Sequence, residues 1–524
     1  MGKAQTIEFS VPTFGERGDL ADNELPTQAL RICQNMMRDE KGLLAIRPGH
    51  SLIGTTQPGG RIMGVQYFKT AGNSDRQVAA NLAGVWQYDG ANWADITLGG
   101  SALSGGTKDH VRFEVMAVGG VYNVIIFNGV NTPKIWDGAA ATYSNLGGTP
   151  GVSIDGAVAA GRLLLLQAPF NFKISDFNNP AVWPSGSGFN GALVDGGDLG
   201  VSVERINRTS VAFLGEESQY VARAQSGSSP FRFEKIDEKP GPLSTAAVVK
   251  YGSILYWLGE DYNIYRFDGT ACTAVGWAMK SYVRTTIDDT NRKMAHGTYI
   301  DDVGKIFWWF PRKTATTPND GIFYDIRTGE MGRLLYSSGI TSSARGRLAG
   351  ATSVTWNGLG GTWDTLAATY PTWDSIPGGE NSSRCNLLGD SLGKVYAVNR
   401  GDGSDNATGI QILTELPLKS YAGWQNNSVP SSFETFFKQA ANSTLIDISI
   451  GYTDTLMTAE PTYVSLGSFD IKSDQRNAID LTGIGEKRFI TIRQSATASK
   501  GQVKWMGGLL IGDMAGIADG SVGG

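Results

Sequence analysis

One pattern recurs along the chain: a short stretch with an aromatic residue leads into Asp or Asn, with Gly directly after it or within four residues. It occurs at five positions, which are Asp89, Asp137, Asp268, Asp325 and Asn399. Asp-Gly and Asn-Gly pairs accept the positive φ of tight hairpin turns. β-Branched and aromatic side chains suit a pleated, half-buried surface. The pattern therefore predicts many short antiparallel strands joined by tight turns.

Two spacings of this pattern fit a repeat architecture. Asp89 and Asp137 are 48 residues apart, and Asp268 and Asp325 are 57 apart. Both values are near the roughly 40–50 residues of a propeller blade. The wider gaps leave room for two or more blades with insertions. Because radial repetition protects exposed strand edges, we predict an all-β fold containing a degenerate β-propeller of five to seven blades.

Apolar residues follow the spacing of strands almost throughout. The clearest runs are Val121–Phe127, Ile254–Leu258 and residues 306–310. A spacing near 3.6, which is typical of helices, is evident only at residues 279–287. A second helix candidate, formed by Leu30, Cys33 and Met37, is equally consistent with an extended arm.

The pattern changes after about residue 413. Strict alternation of apolar and polar residues appears in the segments 432–437, 445–450, 463–466, 488–493 and 503–505. Alternation with one polar face favours an antiparallel β-sandwich, and we place the boundary near 405–420. We therefore predict an N-terminal arm and first strand at 1–60, a propeller at 61–410 with a tryptophan-rich insertion near 342–383, and a C-terminal β-sandwich-like domain at 411–524.

Composition argues against several function classes. The formal net charge is −5 and is spread along the chain, whereas a nucleic-acid-binding protein usually has a basic patch. The three cysteines, Cys33, Cys272 and Cys385, form no Cys-x-x-Cys pair, so we expect neither a disulfide framework nor a zinc site. No run reaches the roughly 18 apolar residues of a membrane helix, so we expect no membrane insertion by this chain.

Residues suited to catalysis are sparse. His50, His110 and His296 each stand apart from clusters of acidic residues. The phosphate-binding loop and the Gly-x-Ser-x-Gly nucleophile motif are absent. A propeller glycosidase would need two carboxylates, for which the acid pairs Glu216-Glu217 and Asp301-Asp302 are candidates, although both also fit hairpin turns. We predict that the chain is not an enzyme and has no catalytic, cofactor-binding or metal-binding residues. Carbohydrate binding or cleavage is the alternative.

Several segments, taken in order, resemble the tail-hub or nozzle proteins of short-tailed bacteriophages, including the packaged-DNA stabilisation proteins. Residues Cys33-Gln34-Asn35-Met36, Gly42-Leu43 and Arg47-Pro48-Gly49 are similar to the start of that family, where an Asn-bearing arm runs into Gly-Leu and then Arg-Pro-Gly. Further similar segments follow in the family's order: residues 65–68, 86–90, 172–183, 211–220 and 256–269, and a short helix near 279–287.

The resemblance covers residues 30 to 510 and is one of segment order and character. It implies a homohexameric β-propeller protein of the virion, placed below the portal and adaptor rings, which extends the DNA channel and helps retain packaged DNA. Tail fibres or spikes and a plug or needle would attach nearby. A slightly acidic channel wall fits DNA passage without sequence-specific binding, since it forms few phosphate contacts. The tryptophan-rich stretch 342–383 departs from the family's pattern.

Overall fold

The chain is all-β in the computed structural model, as its sequence predicts. One α-helix, α1 (Trp277–Thr286), and a few single 3-10 turns accompany the strands of the described residues. The structure describes residues 4–22, 24–70, 75–99, 102–193, 197–348, 384–399, 404–419, 428–440, 443–453, 461–474, 476–484, 487, 489–498 and 503–514.

The N-terminal segment contributes five short strands. They are β1 (Ala4–Phe9), β2 (Ile32–Gln34), β3 (Met36–Arg38), β4 (Leu44–Ile46) and β5 (Gly49–Leu52). All of them except β3, which pairs with β4, pair with strands that are hundreds of residues away in sequence. They therefore bring the two ends of the described chain together.

Residues 62–274 form five antiparallel sheets of four strands, each built from consecutive strands that pair in chain order. Sheet 1 has β6 (Ile62–Lys69), β7 (Asp75–Asn81), β8 (Val85–Tyr88) and β9 (Trp93–Asp95). Sheet 2 has β10 (Arg112–Val118), β11 (Val121–Phe127), β12 (Lys134–Trp136) and β13 (Ser144–Asn145). Sheet 3 has β14 (Asp155–Ala159), β15 (Arg162–Gln167), β16 (Asn171–Ile174) and β17 (Asn190–Ala192).

Sheets 4 and 5 repeat this arrangement. Sheet 4 has β18 (Gly200–Asn207), β19 (Ser210–Gly215), β20 (Gln219–Ala224) and β21 (Phe231–Asp237). Sheet 5 has β22 (Val248–Tyr251), β23 (Ile254–Leu258), β24 (Ile264–Phe267) and β25 (Cys272–Ala274). The helix α1 follows sheet 5, where the spacing of residues 279–287 predicts it.

Two further groups of four strands continue the series. Sheet 6 has β26 (His296–Ile300), β27 (Lys305–Pro311), β28 (Pro318–Asp325) and β29 (Met331–Leu335). Sheet 7 has β30 (Ile340–Arg347), β31 (Arg384–Asp390) and β32 (Val395–Asn399). Its fourth strand is β5 from the N-terminal segment, which pairs antiparallel with β32 so that Leu52 lies opposite Tyr396.

The seven sheets pack against one another in a cycle. The first strands contact each other in the order β6, β10, β14, β18, β22, β26, β30 and again β6. Seven apolar clusters lie between consecutive sheets, including one between sheets 7 and 1. In β15, Leu164 and Leu166 face sheet 4, whereas Leu163 and Leu165 face sheet 2. Burial on both faces explains why this strand is a continuous apolar run.

The remaining strands form a two-sheet unit with β1–β4. They are β33 (Ser404–Asp405), β34 (Thr408–Glu415), β35 (Ser428–Phe437), β36 (Leu445–Thr453), β37 (Thr462–Asp470), β38 (Arg476–Asp480), β39 (Phe489–Ala498) and β40 (Lys504–Met514). One sheet has the order β3-β4-β40-β35-β38, with β1 also pairing with β40. The other has the order β2-β34-β39-β36-β37. Their facing side chains, including Phe9, Phe433 and Trp505, form one buried core.

Hydrogen bonding continues from the cycle into the two-sheet unit. The strand β2 pairs with β34 and, at Gln34 and Arg333, with β29 of sheet 6. The strand β33 pairs with β34 and with β5 of sheet 7. The stretch of Leu30, Cys33 and Met37 is therefore extended and not helical. The N-terminal segment contributes strands to both parts of the molecule.

The recurrent Asp-Gly pattern falls at the same position in several sheets. Four of its five examples lie between the third and fourth strands of sheets 1, 2, 5 and 6. Their glycines, Gly90, Gly138, Gly269 and Gly329, have φ between +75 and +107. The residues after Asn399, at 400–403, lie outside the described residues. Of the tryptophan-rich stretch 342–383, residues 342–347 belong to β30, and 349–383 lie outside the described residues.

Candidate functional sites

A polar cavity of about 330 Å³ lies where the first strands converge. Its walls come from sheets 1, 2, 4, 5, 6 and 7. Charged or aromatic side chains at this cavity include Arg112, Glu114, Glu204, Lys250 and Tyr299. The volume lies within the range of ligand sites, although the walls are more polar than those of a typical small-molecule pocket.

One arginine connects three neighbouring sheets at this cavity. The Arg112 guanidinium forms an ion pair with Glu204, and its Nε lies 3.6 Å from a carboxylate oxygen of Asp155. Asp155 also accepts hydrogen bonds from the Ser202 hydroxyl at 2.9 Å and the Val203 amide at 3.1 Å. These contacts join β10, β14 and β18.

The cavity holds carboxyl groups whose charge is not fully balanced by this arginine. Burial raises the pKa of Glu114 to about 7, and the negative charge of Glu204 adds to the effect. Burial also raises the pKa of Asp155 to about 6. Glu114 accepts one hydrogen bond, at 3.1 Å, from the Val158 amide. A carboxyl group that titrates near neutral pH can donate or accept a proton, so Glu114 is the residue of this cavity best suited to proton transfer.

The first acid pair of the sequence, Glu216-Glu217, lies in the turn between β19 and β20. Both residues line an open groove of about 620 Å³ with other acidic side chains, namely Asp198, Glu238, Glu260 and Asp261. Glu216 lies 3.6 Å from the Lys293 ammonium group. The groove is therefore acidic, with partial neutralisation by Lys235 and Lys239 of its lining and by Lys293 nearby.

The second acid pair, Asp301-Asp302, lies in the turn between β26 and β27. Asp301 accepts two hydrogen bonds from the Arg345 guanidinium, at 2.6 and 2.9 Å. Neither residue lines the acidic groove or the central cavity. The two acid pairs are therefore not brought together, and Asp301 is committed to an ion pair.

Two of the three histidines form a buried pair. The ring centres of His110 and His296 are 6.3 Å apart. Burial lowers the pKa of His110 to about 4 and that of His296 to about 3, so both are neutral at pH 7. His296 stacks on Trp309, and its ring nitrogens contact the Ser343 hydroxyl at 3.0 Å and the Ile340 carbonyl oxygen at 2.9 Å. These contacts hold the ring in place between sheets 6 and 7.

The cysteines are buried, and burial raises the pKa of Cys272 and of Cys385 to about 12. Such thiols stay protonated and are poor nucleophiles and metal ligands. Within the described ranges, no cluster of three or more His, Cys, Asp or Glu residues is placed to hold a metal ion. The same ranges contain no helix with the length and apolar character needed to cross a membrane.

The residues that carry the N-terminal resemblance meet in a buried junction between the two parts of the molecule. Asn35 has a left-handed φ of +57. Its Nδ2 donates to the carbonyl oxygens of Leu335 at 3.0 Å and Gln411 at 2.7 Å, and its Oδ1 accepts from Arg47 at 3.0 Å. One side chain thus connects the end of sheet 6 to β34 of the two-sheet unit.

Arg47 completes this junction. Its guanidinium is buried, lies 3.7 Å from the centre of the Tyr336 ring and pairs with Asp405. Burial alone would raise the pKa of Asp405, but Arg47 and His50 hold it well below its usual range. His50 Nδ1 lies 3.2 Å from that carboxylate. Sequence reasoning identified the Arg-Pro-Gly motif, but Asp405 is 358 residues away from Arg47 and carried no signal.

Comparisons with known proteins identify no family for this chain. No family model matches the chain, and no curated protein matches it. Among solved structures, the computationally designed Ika8 protein matches 67% of this chain and 99% of its own, at 11% sequence identity and a TM-score of 0.35. No conclusion about the fold or function of this chain rests on so weak a likeness.

Proposed function

We propose that sheets 1–7 are the blades of a seven-bladed β-propeller and that the two-sheet unit is an antiparallel β-sandwich. Support comes from the cyclic contacts of the first strands and from the seven apolar clusters between consecutive sheets. The strand β5 comes from the N-terminal segment and completes the seventh sheet by pairing with β32. This arrangement is expected when the first and last blades of a closed ring must be held together. Radial repetition leaves only short, protected strand edges.

We infer further that the chain is a structural subunit of a phage tail. It forms a ring, the tail hub or nozzle, below the portal and adaptor, extends the DNA channel and helps retain the packaged genome. Its partners are copies of itself, in a homohexamer, the adaptor and portal complex, and the tail fibre or spike and plug or needle proteins. The genome passes through the lumen of the ring without sequence-specific binding.

The observation that carries this proposal is the buried junction. Asn35 and Arg47, which belong to the segment that resembles the family, bind each other, backbone groups, one carboxylate and a tyrosine ring. These buried contacts connect the cycle of sheets to the two-sheet unit. Such contacts support a role in the protein's architecture, which is what a ring subunit requires.

Quantitative mass spectrometry of purified particles from the source tests this proposal. We expect about six copies of this chain for each portal dodecamer, the stoichiometry of a sixfold ring on a twelvefold portal. The particle's other structural proteins provide the internal standard. Absence of the chain from particles would reject the structural role.

The central cavity favours one second candidate, a carbohydrate-binding protein or glycosidase at the tail tip. Glu114 and Glu204 line the same cavity, and Glu114 has the pKa of a general acid near neutral pH. Retaining and inverting glycosidases use two such carboxyl groups. Cleavage of host polysaccharide by the purified chain, lost in Glu114→Gln and retained in Glu217→Gln, would support this function. We expect no cleavage by either variant or by the wild type.

A further inference from the structure

The fourth strand in the pairing order of each sheet is here called its outer strand. The outer strands of the seven sheets differ in length and in whether a further strand pairs with them. Those of sheets 6 and 7, β29 and β5, pair with β2 and β33 of the two-sheet unit. Those of sheets 1, 2, 3 and 5 contain only two or three residues. The outer strand of sheet 4, β21, contains seven. Within the described residues it pairs only with β20.

A long strand with an open edge is unusual in a stable protein. Unpaired N–H and C=O groups along such an edge can bind another strand, and proteins commonly keep edge strands very short for this reason. In β21, the carbonyl oxygen of Phe231 already accepts one hydrogen bond, from the Ser229 hydroxyl at 2.8 Å. Sheets 1, 2, 3 and 5 follow that rule and sheet 4 does not. The regular part of β21 is residues 231–235, because a β-bulge at Ile236 interrupts its pairing with β20.

The sequence of this regular part is Phe231-Arg232-Phe233-Glu234-Lys235. Arg232 and Glu234 lie on one face, where Arg232 has a 70% exposed side chain and pairs with Glu234 at 2.9 Å. Phe233 lies on the other face and stacks on Phe172, with 4.1 Å between the ring centres. The edge therefore presents a basic and an acidic residue placed symmetrically about Phe233.

We propose that β21 pairs antiparallel with β21 of a second copy of this chain, around a two-fold axis that passes through Phe233. Residues directly opposite in an antiparallel pair share a face of the sheet, so a two-fold pair must be centred on a single residue. Centring on Phe233 places Arg232 opposite Glu234 of the second copy, twice, and uses all five regular residues. Centring on Glu234 or Lys235 would place like charges opposite each other.

This pairing goes beyond the proposed ring. A cyclic ring uses two different surfaces of each subunit, whereas a two-fold contact uses the same surface twice. The β21 contact therefore forms between free chains in solution, independently of ring assembly. A contact of one strand on each side buries less area than a standard permanent interface, so we expect dissociation at about micromolar concentrations.

Sedimentation velocity of the full chain across a range of concentrations tests this proposal. We expect a reversible dimer for the wild type. Arg232→Glu places Glu opposite Glu in the pair, and Glu234→Arg places Arg opposite Arg. Each change affects two symmetric contacts. The dissociation constant of the dimer should therefore rise at least about tenfold in each variant alone.

Mixing the two single variants provides the decisive measurement. In a mixed dimer, the glutamate introduced at position 232 of one chain faces the arginine introduced at position 234 of the other. The native Glu234 of the first chain faces the native Arg232 of the second, so every contact is again between opposite charges. Dimerisation should return in the mixture and in the double variant R232E/E234R. Arg476→Glu, which reverses an exposed charge on β38, serves as the matched control and should dimerise like the wild type.

Three results would overturn the inference. They are a monomeric wild type at tens of micromolar, single variants that dimerise normally, and a mixture of the single variants that stays monomeric. A six-copy species in every variant, with no dimer in any of them, would also overturn it, but would leave the proposed tail ring intact. Recovery of the dimer only in the mixture and the double variant would establish both the partner and the register.

Discussion

At the scale of single residues, the molecule is notable for buried charges that are fully partnered. Lys305 has a side chain with 0% exposure and lies 2.7 Å from Asp325 and 2.8 Å from Glu330. Arg47 and Asp405 form a second such pair. Glu114 differs from these pairs, because burial and the charge of Glu204 make its ionised form unfavourable.

The substitution Glu114→Gln should therefore change how stability depends on pH. The folded protein raises the pKa of Glu114 from 4.5 to about 7. A raised carboxyl pKa stabilises the fold at low pH, and this contribution is lost as the pH rises from about 4.5 to 7. Relative to the wild type, Glu114→Gln should gain about 2–3 kcal/mol between pH 5 and pH 8.

Urea unfolding of both proteins at pH 5, 6, 7 and 8 measures this effect. The matched control is Glu217→Gln, an exposed side chain of the acidic groove, which should follow the wild type at every pH. Parallel pH profiles for the wild type and Glu114→Gln would show that Glu114 ionises normally in the fold.

At the scale of elements, the short strand β5 connects two parts of the molecule. Its four residues close sheet 7 through β32 on one side and meet β33 on the other. A strand paired on both sides cannot lose a backbone donor without leaving an acceptor unsatisfied. The strand β5 thus stabilises β32 and β33.

The substitution Ser51→Pro tests this dependence. Proline removes the N–H of a residue paired with Ala397, and an unsatisfied buried carbonyl together with the lost hydrogen bond should lower the free energy of unfolding by about 2 kcal/mol or more. Ser51→Ala keeps the N–H and should cost less than half as much. Denaturant unfolding compares the two variants. Equal losses would mean that the backbone of β5 contributes little.

At the scale of the whole molecule, the cycle of sheets and the two-sheet unit share the N-terminal segment. The strands β1, β3 and β4 belong to one sheet of that unit and β5 to sheet 7. A loss of packing in the two-sheet unit should therefore lower the local stability of sheet 7 more than that of sheets far from the N-terminal segment.

The variant Phe433→Ala tests this coupling. Phe433 is fully buried in the core of the two-sheet unit, and its truncation should cost about 3–5 kcal/mol. Hydrogen exchange should then accelerate at the amides of β31 in sheet 7 more than at those of β15 in sheet 3, which is the internal control. Acceleration confined to β34–β40 would mean that the two parts unfold independently.

The alternation of apolar and polar residues, the aromatic strands and the Asp-Gly turns determined from sequence alone that the chain is all-β and where many hairpins turn. These are local features, since side-chain periodicity and positive φ depend on a few neighbouring residues. The run 121–127 matches β11, and residues 279–287 match α1 with a shift of one or two residues.

Only the tertiary structure decided which strands meet. Arg47 and Asp405 are 358 residues apart, Arg112 and Glu204 are 92 apart, and neither pair has a local sequence signal. The acid pairs that the sequence made conspicuous are turn residues, whereas Glu114, whose pKa is raised to about 7 by burial, stands in an ordinary-looking strand. Burial and long-range charge depend on how distant strands are packed together, and a single sequence does not specify that packing residue by residue.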